Sequence, residues 1–193
     1  PGIRRRHLEY GGPSNAFAQA HSDLVAHTIK PYVDKWFRTR TRPSDTFAMG
    51  TSMGGQASLH LCLRHPEIFG GAACLSPYFA PDMLASVASA SLSGTLSSKR
   101  IYMDIGGDSD DTKVPMLDIQ DHLTSSHWRN PGYFWLDTSL QPSVNTMKLA
   151  LDLAQADLQF RTFPGGRHNE RAWAMPIHLP ILHLFGKRQS RSA

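Results

Sequence analysis

The six residues Gly50-Thr51-Ser52-Met53-Gly54-Gly55 are the strongest indication of the fold in this chain. It has the pattern G-x-S-x-G-G and lies between a short apolar run, 46–49, and a helical pattern over 54–65. A strand, a sharp turn and a helix in this order expose a serine Oγ at the edge of a sheet. We expect glycine two residues before and two residues after the serine, because the backbone there passes close to other backbone. The alternative is an ordinary glycine-rich turn in which the serine only caps the helix.

The helix that follows the serine predicts a second element of the same site. The N-terminus of a helix carries a partial positive charge, which stabilises an oxyanion that forms beside it. The backbone N–H of Met53 is placed to donate to that oxyanion. The motif therefore predicts Ser52 as a nucleophile and Met53 as one donor of an oxyanion hole, as in the nucleophile elbow of an α/β-hydrolase.

His168 is the candidate general base. It follows the strand-like run 158–163 and the Gly165-Gly166-Arg167 approach, so that its loop can reach a nucleophile on the same sheet edge. The chain has ten histidines, and residue type alone therefore means little. The others lie in helical patterns or have no strand end before them: His60, His65, His178 and His183 in the first group, and His7, His21, His27, His122 and His127 in the second.

The acid of a catalytic triad is expected in the loop after the strand-like run 100–105. An acid there would hold the histidine in the right tautomer. Asp108, Asp110 and Asp111 are all candidates, whereas Asp104 lies inside the strand and is expected to support the loop. Carboxylates this close together also suggest calcium, but neither the EF-hand spacing nor its closing Glu is present, and we expect no metal.

Strands alternate with helices along the chain, which predicts an α/β fold with a mostly parallel sheet and helices on both faces. We predict a single domain over residues 1–193. A helix over 14–37, interrupted at Pro31, carries an apolar face of Leu24, Val25, Ile29, Tyr32, Val33 and Trp36. The other predicted elements are strands at 46–49, 70–75, 100–105 and 158–163 and helices at 54–65, 81–90, 143–156 and near 176–186.

Several segments together resemble the Putative esterase family of α/β-hydrolases, which includes esterase D-like and enterochelin-esterase-like proteins, feruloyl esterases and mycolyltransferases. The resemblance spans almost the whole chain. Its motifs are Gly50–Gly55, Tyr102–Asp111, the G-G-x-H-x-E-x-x-W run ending at Trp173, Pro66–Gly70, Ser76-Pro77 and Arg6–Gly12.

The resemblance implies a serine esterase that acts on a small-molecule ester without a cofactor. Ser52 would be the nucleophile and His168 the base. The family's G-x-x-D or G-x-x-E spacing gives Asp110 when counted from Gly107, but Asp108 stays open because the loop is shifted or enlarged here. The alternatives are acyl transfer to a sugar or another alcohol, and a non-catalytic protein with the hydrolase fold.

The order of elements starts in the middle of the hydrolase fold. About a dozen residues precede the first predicted helix, where the complete fold has several strands. We therefore expect a chain that lacks N-terminal strands, and with them the second oxyanion donor, which normally follows the third strand. Such a chain is expected to be poorly soluble or weakly active on its own.

An aromatic-rich insertion is predicted at about 112–143, with Trp128, Tyr133, Phe134 and Trp135 close together. Loops this long in compact domains are usually functional or disordered, and the aromatic content argues against disorder. We expect a cap over the serine in which Trp128 and Trp135 contact substrate. The alternative is additional core packed against the sheet edge.

Composition excludes several other classes of protein. Hydrophobic residues make up 40% and charged residues 19%, as in a folded globular domain. No apolar run is long enough to cross a membrane. The net charge of +4 comes from scattered arginines and not from a basic stripe with stacking aromatics, so we expect neither a nucleic-acid nor a membrane partner.

Cys62 and Cys74 do not make a disulfide framework. Oligomeric state and compartment stay open, with the cytoplasm slightly favoured.

Overall fold

The computed structural model describes residues 2–107, 132–164 and 168–186. The strands are β1 (Phe47–Thr51), β2 (Gly71–Leu75), β3 (Arg100–Gly107) and β4 (Asp157–Pro164). The longer helices are α1 (Gly2–Glu9), α2 (Ala16–Leu24), α3 (Lys30–Trp36), α4 (Met53–Arg64), α5 (Pro81–Leu92), α6 (Gly132–Leu153), α7 (Glu170–Ala174) and α8 (His178–Phe185). A π-helical segment covers Val25–Ile29, and short 3-10 turns cover Pro43–Asp45 and Thr95–Ser98.

The four strands form one parallel sheet in the order β1-β2-β3-β4. All four carboxyl ends therefore meet at one edge of the sheet. The register pairs Leu75 with Asp104, and β3 continues beyond β2 until Gly107 pairs with Pro164. Loops that follow β1, β3 and β4 thus leave from the same edge, where ligands bind in open α/β sheets.

Side chains of the central strands alternate between two cores. On β2, Ala72 and Cys74 face one core while Ala73 and Leu75 face the other. This alternation is the two-residue period of a strand, and on β2 every position is buried. The prediction of a parallel sheet with helices on both faces is confirmed.

The larger core lies between the sheet and helices α4, α5 and α6. Each helix contributes apolar side chains at helical spacing, as in the Val144, Met147 and Leu151 row of α6. The smaller core lies under α8, where Leu184 packs with Ala73, Leu75 and Tyr102. The Arg100 guanidinium ties this helix down by donating to the carbonyl oxygens of Leu184 and Gly186, at 2.7 and 2.8 Å.

The predicted long helix over 14–37 is divided into α2, a π-helical segment and α3. Pro31 lies at the start of α3 and has no N–H to donate. The N–H of Lys30 instead reaches back five residues to the carbonyl oxygen of Val25. The wider π turn therefore carries the chain through the point where the proline removes a backbone hydrogen bond.

The predicted apolar face of this helix is only partly buried. Val25 packs against the larger core, but Tyr32 and Trp36 are more than 60% exposed, and Leu24 and Ile29 are nearly half exposed. The described residues offer no surface that covers these exposed side chains. Among the described residues β1 pairs with β2 alone, so its other edge faces the region between α2 and α4.

Three other elements differ from their predicted form. Helix α6 begins at Gly132 and not at 143, so it includes the last part of the predicted insertion. Helices α1 and α7 were not predicted, because both are short. Cys62 and Cys74 are free and fully buried, and burial raises the pKa of the Cys62 thiol to about 12. No helix in the described ranges has the length and apolar character to cross a membrane.

Candidate active site

Ser52 lies at the sharp turn between β1 and α4. Its backbone has φ of 54° and ψ of −125°, a conformation that residues with a Cβ rarely adopt. The turn is held on both sides: the Ser52 N–H donates to the Leu75 carbonyl at 2.9 Å, and the Ser52 carbonyl accepts from Gly55 and Tyr78 at 3.0 and 3.2 Å. The strand–turn–helix context predicted from the motif is thus present, with the strained serine at its apex.

The glycines around Ser52 do not all have the predicted reason. A Cβ on Gly50 would lie 2.4 Å from the Gly54 carbonyl oxygen, and a Cβ on Gly55 would lie 3.0 Å from the Cβ of Pro77 and 3.2 Å from the Cα of Cys74. A Cβ on Gly54 would meet nothing within 4 Å. The expectation of a clash two residues after the serine was therefore wrong; the crowded positions are Gly50 and Gly55.

Met53 is the first residue of α4. The first backbone N–H groups of an α-helix have no partner within the helix and point out of its N-terminus. The start of α4 is fixed by Gln56, a fully buried side chain whose Nε2 donates to the Tyr10 carbonyl at 2.8 Å and whose Oε1 accepts from the Ala80 N–H. Sequence reasoning missed Gln56, because a glutamine in a helical pattern is usually a solvated residue.

His168 follows β4 at the same sheet edge and is 6% exposed. Its ring meets the Trp173 indole edge to face, with centroids 5.0 Å apart. The turn after it is closed by Asn169, whose side chain accepts from the Ala172 N–H at 3.0 Å at the start of α7. Burial lowers the pKa of His168 to about 4; Glu170 partly offsets this effect and the positive charge of Arg6 adds to it.

The candidate acids Asp108, Asp110 and Asp111 lie outside the described residues, as does Trp128. The structure does describe the end of β3, the strand before these acids. Its last residue, Gly107, pairs with Pro164, which is four residues before His168. Trp135 belongs to α6, but only its backbone is among the described parts of the structure; its side chain is not.

Asp104 binds the end of β2 at the carboxyl edge of the sheet, whereas the loop that it was expected to support lies outside the described residues. Its Oδ1 accepts from the Ser76 N–H at 2.8 Å, and the Ser76 hydroxyl accepts from the Gly106 N–H at 3.4 Å. Ser76 has φ of 40°, a second strained serine at the end of a strand. Burial raises the pKa of Asp104 to about 6, and the Ser76 N–H partly offsets this. This network joins β2 to the start of the loop that carries the candidate acids.

A cavity of about 500 Å³ lies along the open edge of β1. Its walls include Arg6 of α1, Tyr10 just after that helix, His21 of α2, and Gly50 and Thr51 beside Ser52. Arg6 thus reaches both this cavity and the electrostatic environment of His168.

Comparison with solved structures confirms the predicted α/β-hydrolase fold. Enterobactin esterase from Shigella flexneri is 18% identical with a TM-score of 0.64, over 96% of this chain and 41% of that one. Siderophore hydrolase EstB from Aspergillus nidulans is 16% identical with a TM-score of 0.62, over 95% of this chain and 66% of that one. A ferulic acid esterase is 19% identical with a TM-score of 0.61, over 86% and 62%.

The chain therefore spans about two fifths of the length of the enterobactin esterase. No curated protein sequence matches it. The profile of the family described as Putative esterase matches residues 5–177, which is most of the chain. The chain belongs to the Putative esterase family.

Proposed function

We propose that this protein is a serine esterase that hydrolyses a small-molecule carboxylic ester through an acyl-enzyme. The observation that carries the proposal is the backbone of Ser52, held at φ of 54° between β1 and the N-terminus of α4. Strain of this kind at a functional turn persists only where the surroundings fix it. A serine that merely caps a helix has β-region backbone and bonds its side chain to the next turn, whereas Ser52 makes no such side-chain cap.

In the first half of the reaction, Ser52 Oγ attacks the ester carbonyl while His168 accepts the hydroxyl proton. The Met53 N–H stabilises the charge that develops on the carbonyl oxygen. His168 is suited to accept a proton because its low pKa leaves the imidazole neutral at pH 7. His168 then gives this proton to the leaving alcohol as the ester C–O bond breaks and the acyl-enzyme forms. In the second half, water attacks the acyl-enzyme with His168 again as base, and Ser52 Oγ takes the proton back as the carboxylic acid leaves.

A neutral imidazole with a pKa of about 4 is a weak base, so the reaction needs a group that favours the imidazolium. A carboxylate bonded to the other ring nitrogen raises the pKa of a histidine and fixes its tautomer. Asp108 or Asp110 supplies this carboxylate in our proposal. They are one and three residues beyond Gly107, whose strand pairs with the strand that leads to His168.

The aromatic residues Trp128 and Trp135 line the acyl or alcohol pocket in this proposal. Similar proteins bear the names enterobactin esterase, siderophore hydrolase and ferulic acid esterase, which fits a bulky acyl or alcohol group. Aromatic side chains bind such groups through large apolar contact. The chain itself requires no cofactor for this chemistry.

The test is hydrolysis of a panel of p-nitrophenyl esters of increasing acyl size together with a methyl hydroxycinnamate. We expect Ser52→Ala and His168→Ala each to lower kcat by at least about 10³. The nucleophile and its base act as one unit, so that removing either residue removes most of the rate enhancement of both. Trp128→Ala and Trp135→Ala should change the order of preference across the panel. If Ser52→Ala retains the activity of the parent protein, the proposal is wrong; if the tryptophan variants lose only stability, the pocket assignment is wrong.

A further inference from the structure

Asp23, His27 and His65 come together at the end of the molecule opposite Ser52. Asp23 lies near the end of α2, His27 in the π-helical segment, and His65 just past the C-terminus of α4. One ligand atom from each lies within 4.8 Å of those of the other two. Helix α4 has 12 residues, which separates His65 from Ser52 by about 18 Å along the helix axis.

The ring of His65 is buried and its Nε2 lacks a hydrogen bond. The side chain is 7% exposed, and Nε2 lies 3.1 Å from Asp23 Oδ1 without hydrogen-bond geometry to it or to any other described residue. A buried polar nitrogen without a partner destabilises a fold unless something else binds it. The His27 ring stands perpendicular to the His65 ring, and their centroids are 4.8 Å apart.

We infer that Asp23, His27 and His65 bind a divalent transition-metal ion of the Zn²⁺ type. Two imidazole nitrogens and a carboxylate oxygen are ligands that such ions prefer. Around a tetrahedral ion with bonds of about 2.0–2.1 Å, neighbouring ligand atoms lie about 3.4 Å apart. The observed spacing reaches this value through small side-chain rotations, because His27 and Asp23 are at least partly open to solvent.

The backbone at His65 is already fixed in place. Its carbonyl accepts from the N–H groups of Ile68 and Phe69, both at 3.0 Å, and Lys99 Nζ donates to the carbonyl oxygens of Pro66 and Phe69. Glu67 Oε1 lies 3.9 Å from His65 Nδ1, the nitrogen that does not face Asp23. At 3.9 Å the two atoms are too far apart for a hydrogen bond, but a turn of the exposed Glu67 side chain would let it bind Nδ1 and orient a ligating imidazole.

Arg64 opposes the ion, because its guanidinium binds both oxygens of Asp23, at 2.8 and 3.0 Å. The pair is partly exposed, so the arginine can turn away when a cation binds. Since α2 and α4 are far apart in sequence, an ion held by residues of both would tie these helices together. The site is independent of the proposed ester hydrolysis and lies apart from the Asp104–Asp111 carboxylates.

The experiment is isothermal titration of the untagged 193-residue protein with Zn²⁺, with Mg²⁺ as the comparison ion. We expect Zn²⁺ to bind with one-to-one stoichiometry and Mg²⁺ not to bind, since Mg²⁺ prefers oxygen ligands. His27→Ala, an exposed position, should weaken Zn²⁺ binding at least about tenfold. His178→Ala, an exposed histidine outside the cluster, should not change it.

Arg64→Gln separates a metal site from an ordinary ion-pair cluster. If the cluster binds Zn²⁺, removing the competing guanidinium should leave the affinity unchanged or increase it, and Zn²⁺ should raise the Tm of this variant. Circular dichroism checks that each variant is folded. Equal Zn²⁺ affinity in the parent protein and in His27→Ala, or no binding by the parent protein at micromolar Zn²⁺, would overturn the inference.

Discussion

Ser52 is one of three non-glycine residues with positive φ in the described part of the chain, together with Ser76 and Gln155. Backbone of this kind costs of the order of 1–3 kcal/mol for a residue with a Cβ. The hydrogen bonds of the Ser52 N–H and carbonyl keep it there. The proposed nucleophile therefore lowers the stability of the protein, because a glycine in the same turn would adopt this φ without strain.

Replacing Ser52 with glycine should stabilise the protein while removing its activity. Glycine adopts this φ without a steric penalty but loses more chain entropy on folding. We expect Ser52→Gly to exceed Ser52→Ala in free energy of unfolding by about 1 kcal/mol. Urea unfolding of the two variants measures the difference. Equal stability of the two would contradict the assignment of strain to this residue.

The triad acid can be identified by three single substitutions in the loop after β3. Asp108→Asn, Asp110→Asn and Asp111→Asn each keep the size of the side chain. We expect one of the first two to lower kcat by about 10³–10⁴, because an amide fixes the wrong tautomer of His168. The remaining two variants serve as controls with activity near that of the parent protein. Similar small losses in all three would mean that none of these residues orients His168.

At the scale of elements, the contact between β1 and α4 depends on Gly50. A methyl group there would meet the Gly54 carbonyl at 2.4 Å, a backbone atom that cannot move aside. Gly50→Ala should therefore lower the free energy of unfolding by about 1–3 kcal/mol. Gly54→Ala, where the methyl group enters open space, should be neutral or slightly stabilising because alanine favours helix. Thermal unfolding compares the two; equal losses would contradict this account of the turn.

The joint between β2 and β3 should be sensitive to pH through Asp104. Its folded pKa of about 6 lies above the ordinary value of 3.8, so the protonated form is favoured in the folded state. The stability it contributes is fully present below pH 3.8 and is lost as pH rises through about 6.

Asp104→Asn removes this titration and keeps an oxygen acceptor for the Ser76 N–H. We expect the variant to be more stable than the parent protein above pH 6, by up to about 3 kcal/mol, with little difference near pH 4. Urea unfolding at several pH values between 4 and 8 measures it. Parallel stability curves for the two proteins would show that Asp104 is not responsible for a pH dependence.

The sequence predicted elements where local pattern and packing agree, and failed where a distant contact decides. The four strands and α4 were predicted within about three residues of their ends, because apolar runs and the serine motif mark them. The π turn before Pro31 follows from one missing N–H and cannot be read from periodicity. The Asp104–Ser76 network and buried Gln56 depend on neighbours distant in sequence.

At the scale of the whole molecule, two cores of unequal size hold the parallel sheet, and its carboxyl edge carries Ser52, the end of β3 and His168. Alternation of strands and helices predicts a parallel sheet, in which the carboxyl ends of all strands share one edge. The strand order β1-β2-β3-β4 was not predicted, and the roles of the residues at this edge stay a prediction. The edge-to-face contact of His168 with Trp173 and the effect of the Arg6 charge on the pKa of His168 could not be predicted, since the first depends on how the loop folds and the second on a segment distant in sequence. The cluster of Asp23, His27 and His65 could not be predicted either, because the spacing of these residues in the sequence matches no metal-binding motif.

The most direct test of the central claim is fluorophosphonate labelling of the folded chain, with the modified peptide identified by mass spectrometry. An activated serine reacts with such a reagent, whereas an ordinary hydroxyl does not. We predict that the label is on Ser52, that Ser52→Ala abolishes it and that His168→Ala slows it. A folded protein that stays unlabelled, or one labelled at another residue, would contradict the proposal that Ser52 is an activated nucleophile.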